Sequence, residues 1–132
     1  MIENNQEIEA TFEALEQLPH FLAPCIQDQS DDTQGQLVLA LHELCVNIIQ
    51  HGYQFQTGTI DLYAKRDGKQ LVINITDTAQ GRYNPPDAII PPNPEDLPES
   101  GWGMYIVDQV MDEWYYQGHP KGNQWTLIKQ LR

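Results

Sequence analysis

The sequence predicts an α+β protein, a two-layer sandwich whose mixed, mostly antiparallel sheet is covered on one face by about three helices. Three observations predict it. Apolar residues alternate with polar ones in several short runs, other runs carry apolar residues at steps of three and four, and the two kinds follow one another as strand, helix, helix, two strands, long loop, helix, two strands. Residues 1–132 read as one domain, with no internal repeat and no linker.

Ile8, Ala10 and Phe12 alternate with polar neighbours and predict a short first strand. Leu15, Leu18, Leu22 and Ile26 then take helical spacing, with Pro19 early enough to be tolerated. Asp31 and Asp32 offer an N-cap to the clearest helix, whose Leu37, Leu41, Leu44 and Ile48 form one stripe and which ends near Gly52. Ile60, Leu62 and Ala64, then Leu71, Ile73 and Ile75, predict two antiparallel strands joined at Asp67-Gly68. From about 82 to 100 the chain holds six of its nine prolines, which exclude both ladder and helix and predict a lid-like loop. Beyond it, Ile106, Val107, Val110, Met111 and Trp114 make a third helical stripe, and segments 114–117 and 125–131 a closing hairpin.

The charge distribution limits the partners. Net charge is −12, and the first Lys or Arg is Lys65, after ten acidic residues. Binding to phosphate backbones or anionic membranes needs clustered cations, so neither nucleic acid nor a membrane is expected. No apolar run approaches a membrane span and the first residues lack a signal-peptide pattern, so a cytoplasmic location is expected. Cys25 and Cys45 sit in helical apolar segments without a CxxC and read as reduced core thiols.

Three polar or glycine-bearing features carry potential chemistry. Glu43 and Asn47, four apart on the strongest helix, share one face. The second of the paired strands ends in Asp77-Thr78-Ala79-Gln80-Gly81, delivering a carboxylate able to accept from an amino group such as that of adenine. Gly101-Trp102-Gly103 opens the third helix, where glycine lets backbone N–H groups approach an anion that the helix dipole also favours. Taken singly, these also fit a solvated helix face, a turn Asp and a helix-entry turn. A zincin reading fails because His42-Glu43 is followed by Val46, not His, and neither a P-loop nor a Gly-x-Ser-x-Gly elbow is present. The four histidines show no ligand spacing.

In this order, the motifs resemble the anti-sigma regulatory factors with serine-kinase activity, within the Bergerat-type, histidine-kinase-like ATPase superfamily. The stretch from Leu41 to Tyr53 is similar to that family's first motif, and Gly101 to Val107 with Met111-Asp112-Glu113 to its third. The resemblance runs from about residue 8 to the C-terminus. It implies a histidine-kinase-like ATPase fold that binds ATP and Mg²⁺ and phosphorylates a small anti-anti-sigma protein, thereby regulating a sigma factor. It implies Glu43 as general base, Asn47 as Mg²⁺ ligand, Asp77 on the adenine amino group and Gly81 shaping the adenine loop. Thr126 would back the base, and Gly101 and Gly103 would cradle phosphates. Ala79 stands where the family usually has glycine, which requires a negative φ there. The lid carries no Lys or Arg beyond Arg82. A binding switch of the same fold, clamping a partner without turnover, is the alternative reading. Trp102, Trp114 and Tyr116 fit either a homodimer or sigma-binding surface or the core.

Overall fold

The computed structural model describes residues 1–84 and 102–132, Trp102 by its backbone alone. Five strands, β1 (Ile2–Glu9), β2 (Thr59–Asp67), β3 (Gln70–Asp77), β4 (Glu113–His119) and β5 (Gly122–Gln130), form one sheet in the order β1-β2-β3-β5-β4. The sheet expected to be mostly antiparallel is antiparallel at every pairing between described strands. Helices α1 (Leu18–Ile26), α2 (Asp31–Asn47) and α3 (Trp102–Val110) complete the two layers. The lid expected at 82–100 falls outside the described residues from 85 onward.

Strand parity sets the layers. Ile60, Leu62 and Ala64 of β2, Leu71, Ile73 and Ile75 of β3, and Trp125 and Leu127 of β5 are buried, whereas the residues between them are at least partly exposed. Side chains alternate across a strand, so one face of the sheet is apolar and the other polar. Leu18, Phe21 and Leu22 of α1, Leu37, Leu41 and Leu44 of α2, and Val107 of α3 belong to the same core. Burial on this scale, at roughly 25 cal/mol per Å² of apolar surface, drives the packing of the two layers.

Two boundaries and one helix type differ from expectation. β1 runs from Ile2 rather than around Ile8 to Phe12, because this edge strand is fixed by its backbone register with β2 and buries only Ile8 fully. Ser30 caps α2 through its hydroxyl, which accepts from the Thr33 N–H at 3.2 Å, while Asp31 and Asp32 occupy the first turn, where the dipole favours them. After Asn47, α2 passes into a π-helical turn, Ile48–Gly52. Such turns re-aim backbone groups near functional sites. Cys25 and Cys45 are free, buried thiols, as expected.

Candidate functional site

Asp77 ends β3 on the helix-bearing face, in phase with Ile73 and Ile75, and is only 8% exposed. Its Oδ1 accepts from the Ala79 N–H at 2.9 Å and from Nδ2 of Asn123 at 2.8 Å. Oδ2 is buried and has no hydrogen-bond partner among the described residues. Burial raises the carboxyl above the usual carboxylate range, opposed in turn by the Asn123 hydrogen bond, the Ala79 N–H and the Arg82 charge. A buried acceptor with one oxygen engaged and one without a partner is suited to a ligand N–H.

The loop after β3 folds against the end of the long helix. A Cβ on Gly81 would stand 2.2 Å from the His51 carbonyl oxygen and 2.8 Å from that of Gly52, so only glycine allows this approach. The Gly81 N–H donates to the Gly52 carbonyl at 3.1 Å. Ala79 is absent from the described non-glycine residues with positive φ, and its methyl is buried beside Gly52. The loop thus accepts alanine without the left-handed backbone that would have demanded glycine. Arg82 braces it, its guanidinium donating to the carbonyls of Ala79, Gly81 and His119.

Glu43 and Asn47 are half-buried on α2, one turn apart on a shared face. The first turn of α3 meets Glu43 there, since a Cβ built on Gly103 would lie 3.6 Å from both the backbone oxygen and Oε2 of Glu43. A carboxylate is thereby set beside a helix N-terminus, where backbone N–H groups favour anions. Gly101 lies outside the described residues.

Thr126 is not brought to this site. Its register partner is Asn74, it alternates with buried Trp125 and Leu127, and its hydroxyl donates to Oδ1 of Asn74 at 3.0 Å on the opposite face of the sheet from Asp77. The β5 residue beside Asp77 is Asn123, which falls between the expected hairpin segments 114–117 and 125–131. Strand parity, with Asp77 in phase with Ile75 and Thr126 out of phase with Trp125, was the available signal. Trp114 and Tyr116 are half-buried against the core, clustered with Tyr83 and Trp125.

Comparison with known proteins agrees with this arrangement. The chain is 30% identical over 90 residues to the serine-protein kinase RsbW of Bacillus mycoides (strain KBAB4), covering 62% of this chain and 55% of that protein. The RsbW of Bacillus cereus (strain AH820) is 30% identical over 91 residues, covering 63% and 55%. The chain therefore spans about half the length of these curated relatives. The fold is shared with the histidine kinase domain of the Erythrobacter litoralis EL346 blue-light activated histidine kinase, at a TM-score of 0.54 and 24% identity over 76% of this chain and 45% of that one. The EL346 kinase itself matches at a TM-score of 0.57 and 24% identity, over 79% and 32%. Residues 8–129 match the model of the histidine kinase-like ATPase domain, and the chain belongs to that family.

Proposed function

We propose that this chain is an ATP-dependent serine/threonine protein kinase that binds Mg-ATP between α2, the loop after β3 and the start of α3, and phosphorylates a small anti-anti-sigma protein. On this reading it acts in the cytoplasm, holding or releasing a sigma factor by partner switching. Similarity to the RsbW serine-protein kinases supports it. The observation that carries it is the Glu43 carboxylate set against the first turn of α3.

The residues present fit the nucleotide. Oδ2 of Asp77 is a buried acceptor suited to the adenine amino group, and Gly81 keeps the base loop tight against the π turn. Among the described residues no group of three or more His, Cys, Asp or Glu could hold a metal. Magnesium commonly binds through one or two protein groups plus phosphate oxygens and water, and the Asn47 amide oxygen is a hard ligand of that kind. Once bound, the ion neutralises phosphate charge and orients the transferred group.

The chain's own residues then do the following. Gly103 presents its backbone N–H to the phosphates, a stabilisation that needs no reorganisation. Glu43 takes the proton from the target hydroxyl as its oxygen bonds to the γ-phosphorus, the bond from that phosphorus to the bridging oxygen breaks, and ADP leaves. Incubation with labelled ATP, Mg²⁺ and a candidate anti-anti-sigma protein tests the proposal. Label is expected on a serine or threonine, falling about 10²-fold or more in Glu43→Ala. Partner capture without any transfer by the wild type overturns it.

One observation favours the binding switch. Arg82 is the sole Lys or Arg between Lys69 and Lys121, and its guanidinium is engaged by three backbone carbonyls. Phosphates would gain no side-chain cation from that stretch unless Arg82 were released, and slow or absent turnover follows in that case.

A further inference from the structure

Asn123 is buried and its side-chain amide bonds inward on both sides. Nδ2 donates to Oδ1 of Asp77 at 2.8 Å and to the Gly81 carbonyl at 3.0 Å, with the Ala79 carbonyl at 3.5 Å. Its own Oδ1 accepts from the Tyr116 hydroxyl, which in turn accepts from the Tyr83 N–H at 3.0 Å. The amide orientation is therefore fixed: turning it over would set its oxygen against the Asp77 carboxylate and the Gly81 carbonyl, acceptor against acceptor. Both amide hydrogens are spent on the protein, which leaves Asn123 no donor for a ligand.

We propose that Asn123, oriented by Tyr116, is a positioning residue of the base site, which by holding Oδ1 of Asp77 leaves Oδ2 to select a base bearing an amino group over one bearing a carbonyl there. This rests on the ATP-binding reading above. A carboxylate locked in one rotation offers only an acceptor, so adenine donates to it while the O6 of hypoxanthine meets like charge density. Held then by the Ala79 N–H alone, the same carboxyl can turn more easily, or hold its proton to higher pH and donate to O6. Among the described residues, Arg82 faces Asp77 and lowers its pKa, and Cys45 on α2, neutral at ordinary pH, also lies within its field.

Calorimetric titration of wild type, Asn123→Leu and Tyr116→Phe with Mg-ATP and Mg-ITP, between about pH 5 and pH 8.5, tests this. Tyr116→Phe keeps the ring on Trp125, with ring centroids 4.6 Å apart, and so carries the test should Asn123→Leu fail to fold. Wild type is expected to prefer ATP. Both variants are expected to lose about tenfold in ATP affinity, to narrow the ATP-to-ITP ratio, and to shift the acidic limb of ATP binding to higher pH. A merely structural role would weaken both nucleotides equally and leave the pH profile in place. Folded variants with the wild-type ratio and profile overturn the positioning role alone, whereas wild type binding neither nucleotide overturns the ATP-binding reading and this inference together.

Discussion

Gly122 and Asp77 meet backbone to backbone: a Cβ on Gly122 would stand 1.9 Å from the Asp77 carbonyl oxygen and 2.9 Å from its carbon. The start of β5 can hug the end of β3 only because position 122 has no side chain, and Asn123 reaches the Asp77 carboxylate from there.

Gly122→Ala is accordingly expected to destabilise by about 2 kcal/mol or more, because the obstructing atoms are backbone and cannot swing aside. Thermal scanning should show Tm falling by roughly 5–10 °C, with ATP affinity reduced in the same protein. Gly35, exposed within α2, has nothing within 4 Å of its would-be Cβ. Gly35→Ala should therefore raise stability by about 0.5–1 kcal/mol through helix propensity alone.

Asp77→Asn separates the proposed ligand role of this carboxylate from its cost. Burial raises the carboxyl's native pKa, whereas the unfolded chain titrates near the ordinary value of about 3.9. Below that value both states are protonated and no penalty exists; as pH rises through the raised native pKa the penalty grows, then stays constant. Relative to wild type, Asp77→Asn should gain stability across that rise and hold the gain at neutral pH. Urea denaturation at several pH values checks it, and on the proposed ATP-binding reading ATP should raise the Tm of wild type and not that of the variant.

Thiol chemistry should report opening of the core. Desolvation pushes Cys45 up to about 12, with the Asp77 charge adding to the effect, and burial raises Cys25 against the opposing charge of Arg66. Thiolate is the reactive form, so a colourimetric thiol reagent at about pH 8 should label neither cysteine in the native protein and both in denaturant. Rapid labelling of Cys45 under native conditions would mean that α2 separates locally from the sheet.

The elements legible in the sequence are those written in apolar periodicity. Alternation at Ile60-Leu62-Ala64 and Leu71-Ile73-Ile75 marks the two central strands, and the stripe through Leu37, Leu41 and Leu44 marks α2 together with the face holding Glu43 and Asn47. The edge strand β1 lies outside the expected bounds because its residues Glu3 to Glu7 are polar on both faces, so no apolar alternation marks them, and they are held by pairing with β2 and by side-chain bonds such as that from Asn4 to the Phe21 carbonyl. The π turn left no mark, because Ile48 and Ile49 continue the helical apolar pattern. Asn123 was missed for a different reason. Next to a glycine at a hairpin it reads as a turn residue, and only the register that sets it opposite Asp77, a long-range fact, gives it a role.

Tyr53 is where the π turn, the start of β2 and the loop after β3 are joined by one hydroxyl. It donates to the Thr59 carbonyl at 2.5 Å and accepts from the Thr78 N–H at 3.0 Å, with Oγ1 of Thr78 at 3.2 Å. Tyr53→Phe keeps the ring against Gly58, where a Cβ would stand 2.3 Å from the Tyr53 Cε1, and removes only these bonds. The Thr78 N–H and Thr59 carbonyl then lose these bonds in a part-buried setting, at a cost of about 0.5–1.5 kcal/mol. Urea denaturation should show a lower midpoint with an unchanged slope, since the surface exposed on unfolding is the same. Because Thr78 directly follows Asp77, nucleotide affinity should fall as well, whereas a substitution acting on global stability alone would leave affinity intact under conditions where the protein remains folded.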